Sequence, residues 1–226
     1  FLSNRFDSSA TSLHGAGGYA RIAKETGDWF GETGINTRTP GYETNDYAFQ
    51  QRADYIWYNA NIGRTWTKPR SWYRSIYTIA GGQTQTNYEG DRTQSQLHAY
   101  FSETTPQFWN VSTFYIHRFS TVDDRQLRGG PAIKVPASQY METDITTDSR
   151  HAFTASGGVG YYHDDKGDNA PSVYATASYR PASNVSVSFG PSWNPSRNYA
   201  QYVAAIADST AVAFYGTRYV VASLDQ

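Results

Sequence analysis

Between residues 149 and 191 the chain alternates in polarity with a period of two, the repeat of an extended strand rather than a helix. Phe153, Ala155, Gly157, Val159 and Tyr161 share one face, and Ala152, Thr154, Ser156, Gly158 and Gly160 share the other. A polar turn at 164–169 follows. The alternation then resumes, with Val173, Ala175, Ala177 and Tyr179 set against Tyr174, Thr176, Ser178 and Arg180. A tight turn at 181–184 leads into Val185, Val187 and Phe189, interleaved with Ser186, Ser188 and Gly190.

The same pattern extends over the chain. After a polar start at 1–12, strands are expected at 13–25, 29–37, 52–66, 72–81, 92–101 and 109–119, then more weakly at 132–142. Past the three strands of 149–191, two more are expected at 198–207 and 211–222, giving about twelve. Long connections near Arg38, Gly82, Ser120, Asp164 and Asn194 alternate with short ones near Thr26, Thr67, Glu103, Thr143, Pro181 and Asp208. Gly, Pro, Asn and Asp concentrate in these connections, as turn geometry requires. Strands of about ten residues, apolar on one side and joined alternately by long and short turns, are the signature of an outer-membrane barrel. The expectation is an all-β, antiparallel up-and-down transmembrane β-barrel, incomplete in this segment, with residues 1–226 as one barrel region.

Charge parity sharpens that picture, because a charge facing lipid at mid-bilayer costs about 2–4 kcal/mol. Asn59, Asn61, Arg74, Gln94, Gln96, His98, Asn110, Arg118 and Arg180 are assigned to the polar parity, as candidates to line the interior. There they would bind cargo or hydrogen-bond one another as a plug. In strand four, Tyr73, Tyr77 and Ile79 are read as the apolar side, opposite Arg74 and Thr78. Strand twelve is ambiguous, since Arg218 shares parity with Phe214 and Val220. Trp29, Trp66, Trp72, Trp109 and Tyr199, near strand ends, suit interfacial girdles.

Composition agrees with a sheet that is half apolar. Tyr occurs 19 times, Phe 11 and Trp 6, yet only 38% of residues are hydrophobic and the mean hydropathy is −0.65. No apolar run reaches the roughly 18 residues of a membrane helix. A net charge of −1 with scattered basic residues gives no case for nucleic acid. There is no Cys, which excludes disulfides and thiolate metal sites. The sequence begins at Phe1 and ends at Gln226, and is read as an excerpt of a longer chain.

Two chemical readings compete with a passive barrel. His117 and Ser120 near Asp123 and Asp124, or His163 near Asp164 and Asp165, invite a rim hydrolase, but sequence proximity does not establish a nucleophile–base–acid geometry. His163, Asp164, Asp165 and Asp168 lack the spacing of a calcium loop. Gly129-Gly130-Pro131 lacks the Lys-Ser or Lys-Thr of a phosphate loop. No catalytic residue, metal ligand or cofactor is assigned.

Four ordered motifs carry a resemblance: Pro40-Gly41-Tyr42-Glu43-Thr44-Asn45-Asp46-Tyr47-Ala48-Phe49, Leu127-Arg128-Gly129-Gly130-Pro131, Thr147-Asp148-Ser149-Arg150, and Tyr215-Gly216-Thr217-Arg218-Tyr219-Val220 followed by Leu224-Asp225-Gln226. From near Trp29 to Gln226 the chain resembles the bacterial family of domain of unknown function 5916. The resemblance implies an outer-membrane barrel region attached to a carbohydrate-binding module similar to family nine. The expected setting is therefore the outer membrane of a Gram-negative bacterium. The expected partners are outer-membrane lipid and a glycan or oligosaccharide, with periplasmic or surface protein partners left open. A porin-like channel, transport component or surface scaffold is the leading expectation, with a rim hydrolase and a soluble β-sandwich lectin or adhesin as alternatives. The resemblance carries no catalytic residues.

Overall fold

The computed structural model describes residues 12, 14–44, 50, 52–128, 130–212 and 216–225, with the backbone alone for 197–200 and 225. Most of the polar start, Leu13, the stretch 45–49, Gly129, Tyr215, Gln226 and the Tyr199 side chain lie outside the described residues.

Fifteen strands make up the fold among the described residues. The first six are β1 (Gly17–Lys24), β2 (Trp29–Arg38), β3 (Tyr55–Trp66), β4 (Ser75–Thr86), β5 (Arg92–Thr104) and β6 (Asn110–Arg118). A short hairpin, β7 (Thr121–Asp123) with β8 (Ile133–Val135), interrupts the series before β9 (Ser138–Thr146), β10 (Phe153–Asp164), β11 (Asn169–Ala182) and β12 (Val185–Phe189). The last three are β13 (Ser192–Trp193), β14 (Arg197–Ala207) and β15 (Thr217–Asp225). The main sheet runs in the order β1-β2-β3-β4-β5-β6-β9-β10-β11-β12, every neighbour antiparallel.

β12 and β13 are one strand in register. Ala177 pairs with Phe189 and Tyr174 with Ser192, so β11 keeps a single pairing offset across Gly190-Pro191. Pro191 has no N–H to donate, yet its carbonyl accepts the Ala175 N–H at 3.1 Å. The ladder is interrupted without slipping.

The sheet differs from the expected one in several places. It is all-β and antiparallel, but among the described residues it is not closed: β1 and β12 have no outer neighbour, and β14 and β15 pair only with each other. β4 runs on past Gly81-Gly82 to Thr86, although a loop is expected from Gly82. Those glycines leave room for neighbours: a Cβ on Gly81 would lie 2.0 Å from Asn61 Oδ1, and one on Gly82 2.8 Å from Leu97 Cδ2. The single weak strand expected over 132–142 is split by Pro136 into β8 and β9, and β9 continues to Thr146. The last strand lies at Thr217–Asp225 rather than 211–222.

Cross-strand register sorts the side chains into two faces. Ile62, Ala80, Ala99, Tyr115, Met141, Tyr161 and Pro171 lie in one continuous row from β3 to β11. On that same face Ile62 is 60% exposed, Val159 61% and Val187 62%, with no second layer over it among the described residues. Of its charged residues, Lys24, Arg64 and Glu103 lie near the short-turn ends of β1, β3 and β5, and Arg92, paired with Thr86 at a register shift, lies at the other end of β5. Arg64 lies 5.1 Å from the Trp29 ring and 4.6 Å from Trp66, a cation–π clamp at the sheet border. Phe153 to Tyr161 is eight residues along β10, about 27 Å at the rise of an antiparallel strand.

Candidate functional site

The opposite face is polar and satisfies itself across strands. Arg21 donates to Glu32 at 2.7 Å, and Asn59 and Asn61 donate to the other Glu32 oxygen at 3.3 and 3.5 Å. Tyr174 donates to Asp144 at 2.7 Å, and Tyr140 donates to Glu142. Antiparallel pairing places Asn59, Gln83, Gln96, Arg118, Ser138 and Asp164 in one row from β3 to β10. The next row runs Asn61, Gly81, His98, Ile116, Tyr140 and Tyr162. Asn61 Oδ1 and His98 Nδ1 are buried in that row without a hydrogen-bond partner.

Seven of the nine sequence-assigned interior candidates, Asn59, Asn61, Gln94, Gln96, His98, Asn110 and Arg118, therefore share this face. Arg180 follows the same parity, is exposed, and sits at the β11 irregularity between Tyr179 and Ala182. Arg74 is placed differently. It precedes β4, its N–H donates to Thr104 O at 2.7 Å, and its guanidinium stacks 3.9 Å from the Phe108 ring. Strand four is also turned relative to the sequence reading. Tyr77 and Ile79 lie on the polar face, and Thr78 and Ala80 on the apolar one. The cause is an aromatic layer inside that face: Phe30 and Tyr77 stack at 5.3 Å, with Tyr100 6.0 Å from Tyr77.

The long connections meet at one end of the sheet, and there the segment between β6 and β9 folds over the polar face. Asp124, 4% exposed, accepts from Arg52 at 2.8 and 2.6 Å through both oxygens. Asn87, also buried, reaches the same carboxylate at 3.4 Å while its own Oδ1 accepts the Glu89 and Asp91 N–H groups. Three connections are thus tied at one carboxylate. Burial opposes the charge on Asp124, but the Arg52 guanidinium outweighs it and holds the carboxyl below its ordinary range. Beneath the hairpin lies an open cavity of about 870 Å³ lined by Gln94, Gln96, Arg118, Lys134, Tyr162 and Lys166 among others.

The same segment is held from its far side. Leu127 is buried, and Tyr219 of β15 packs over Gly130, where a Cβ would lie 2.7 Å from the Tyr219 ring. The Arg128 guanidinium lies 5.0 Å from the Tyr202 ring of β14. The Leu127–Pro131 motif is thus where the β14–β15 hairpin docks on the loop.

A family model described as a domain of unknown function, DUF5916, matches residues 2–225. The chain belongs to the DUF5916 family. Comparison with the curated proteins and with the solved structures found no match.

In this DUF5916 chain the groups that invite a hydrolase reading make other contacts. His117 projects from the apolar face, edge-on to Phe119 at 4.6 Å. Ser120 donates to Val135 O at 2.9 Å, and one Asp123 oxygen accepts the Arg125 and Gln126 N–H groups at 2.8 Å. Asp164, 1% exposed, caps the β10–β11 tip by accepting the Lys166 and Asp168 N–H groups at 2.8 and 3.1 Å. His163 contacts Asn169 at 3.1 Å. Among the described residues no group of three His, Cys, Asp or Glu gathers as a metal site.

The Thr147-Asp148-Ser149-Arg150 segment builds a turn at the opposite end of the sheet. Arg150 grips Asp148 at 2.6 and 2.8 Å, and lies 3.5 Å from the Phe108 ring on which Arg74 also stacks. Arg150's side chain first, then its backbone N–H, holds the Asp148 carboxyl well below the ordinary range. The loop-end latch is the structural feature that sequence reading missed. Arg52, Asn87 and Asp124 are far apart along the chain, and no local spacing signals that they meet.

Proposed function

We propose that this chain forms part of the wall of a bacterial outer-membrane β-barrel that acts as a channel, a transport component or a surface scaffold. One observation carries the reading: a ten-strand antiparallel sheet with an uncovered apolar face and a self-bonded polar face. Lipid accounts for the first face, and a hydrated interior for the second. The apolar stretch of β10 is comparable in height to the roughly 25 Å apolar band of such barrels. Arg64 between two tryptophans suits the polar border of that band. Closure would come from strands that pair with the free edges of β1 and β12, since an unpaired ladder is costly in lipid.

The polar face supplies the hollow that a channel needs, and the Asp124-latched segment narrows one mouth of it. The link to glycans comes with the family resemblance, through a carbohydrate-binding module. A buried sandwich core would instead require a second sheet over Ile62, Val159 and Val187. Detergent extraction of the full-length protein from membranes, followed by electrophoresis with and without heating, tests the proposal. A detergent requirement with a heat-dependent mobility shift is expected. Release into buffer without detergent and without any shift would refute it.

A further inference from the structure

We infer that the cavity beneath the β7–β8 hairpin binds small organic oxyanions, the carboxylate- or phosphate-bearing solutes that the channel reading would admit at this mouth. The inference deepens that reading by giving the cargo a charge. Five basic side chains line the cavity, Arg52, Arg118, Arg125, Lys134 and Lys166, against the carboxylates of Asp123, Asp124 and Asp164. All three carboxylates are engaged within the protein. Asp124 is clamped by Arg52, Asp123 accepts two backbone N–H groups, and Asp164 caps its own hairpin.

Arg118 and Lys134 stand apart from that economy. Both are exposed, both line the cavity, and neither side chain makes a hydrogen bond or ion pair with a described residue. Arg118 stands between Gln96 and Ser138 in the polar row, and Lys134 projects from the hairpin. Unspent cations beside amide and hydroxyl groups offer an oxyanion charge-assisted donors, and the arginine fork matches carboxylate and phosphate alike. The cavity volume falls in the range of small-molecule sites.

Calorimetric titration of detergent-solubilised full-length protein with citrate, with inorganic phosphate and with glycerol tests the assignment. Saturable binding of at least one anion and none of glycerol is expected, with citrate and phosphate distinguishing the two oxyanion sources. Arg118→Gln and Lys134→Gln should each weaken it about tenfold, the loss of one charge-assisted hydrogen bond. Both side chains are exposed, so folding is expected to survive; the salt dependence of wild-type binding gives a readout that needs no variant. Absence of saturable anion binding, equal affinity in the variants, or affinity indifferent to potassium chloride would overturn the site. Conductance of the same preparation in a planar bilayer separates the two proposals: anion binding without conduction leaves the site and removes the channel, and conduction without anion binding does the reverse.

Discussion

The two faces of the sheet are built from the same strands, residue by residue, yet they are stabilised in different ways. On the apolar face Ile62, Val159, Val173 and Val187 remain exposed, and the side-chain hydrogen bonds join mostly uncharged groups, such as Thr113 with Thr143 and Tyr115 with Gln139. On the polar face the chain supplies its own partners, from Arg21 to Glu32 and from Tyr174 to Asp144. The difference teaches where each face finds its partner. Most polar-face groups find partners within the chain, Asn61 Oδ1 and His98 Nδ1 excepted, whereas the apolar face has no covering layer among the described residues, and in the proposed barrel hydrocarbon would cover it.

A single charge placed on each face breaks or upholds that contrast most sharply. Val159→Arg puts a guanidinium at the centre of the apolar face, and is expected to destabilise the membrane-inserted protein by about 2–4 kcal/mol. Ser156→Arg, on the polar parity of the same strand, should cost much less. Denaturant titration of both variants in lipid vesicles measures the difference. Equal costs would remove the distinction between the faces.

The latch over the polar face provides the next largest effect. Asp124→Asn removes the charge from two hydrogen bonds to Arg52 and leaves that cation half-matched, so local docking should weaken by about 1.5–3 kcal/mol. Amide hydrogen exchange should then speed up in 119–137 while β10 and β11 stay protected. Acid reproduces the change without mutation. Because the folded Asp124 carboxyl titrates below its unfolded value of about 3.9, its contribution is full above that pH and fades as pH falls through the folded value. Exchange in the segment should be steady at neutral pH and rise only in strong acid, after correction for intrinsic rates. The loss should be absent from Asp124→Asn.

Much of the sheet was legible from alternation alone, and the exceptions have physical causes. β3, β5, β6, β10 and β11 read correctly because each has a polar row that needs water or partners and an apolar row that needs neither. The strand reads as ending at Gly81 with a loop from Gly82, because glycine weakens strands, while the structure uses the missing side chains as space for Asn61 and Leu97. The latch was invisible because residues 52, 87 and 124 are far apart along the chain and meet only through the tertiary fold. The separate β14–β15 hairpin was equally hidden, since two strands read alike whether or not they join a larger sheet.

Gly81→Ala sharpens the comparison from within the polar face. Its Cβ would fall 2.0 Å from Asn61 Oδ1 and 2.4 Å from the Ala60 carbonyl, so the Asn61 amide must leave its place beside Glu32 and the β3 backbone must shift. Overpacking of this kind costs about 1–3 kcal/mol. Asn61→Ala should relieve the side-chain part of the clash, so thermal unfolding of the double variant should lie above the additive expectation. Gly90→Ala provides a contrast: a Cβ there meets nothing within 4 Å, so any loss comes from its positive φ of 95°.

The smallest effect belongs to Tyr77, and it bears on the one strand whose orientation was misread. Alternation alone puts Tyr77 and Ile79 outside because they are the apolar members of β4, but the register sets them beside Thr65, Ser102 and Gly63 on the polar face. There Tyr77 stacks with Phe30 and approaches Tyr100, forming an apolar layer toward the short-turn end of an otherwise polar surface. Tyr77→Leu keeps much of the buried carbon and removes the ring contacts, so a loss of about 0.5–1.5 kcal/mol is expected. Phe30→Leu should cost a similar amount, and the two losses should be less than additive, because they remove one shared stack. If Tyr77 faced lipid instead, its replacement by Leu would be neutral and uncoupled to Phe30. A double-mutant cycle on these two residues therefore determines which way β4 is turned, independently of how the sheet is closed.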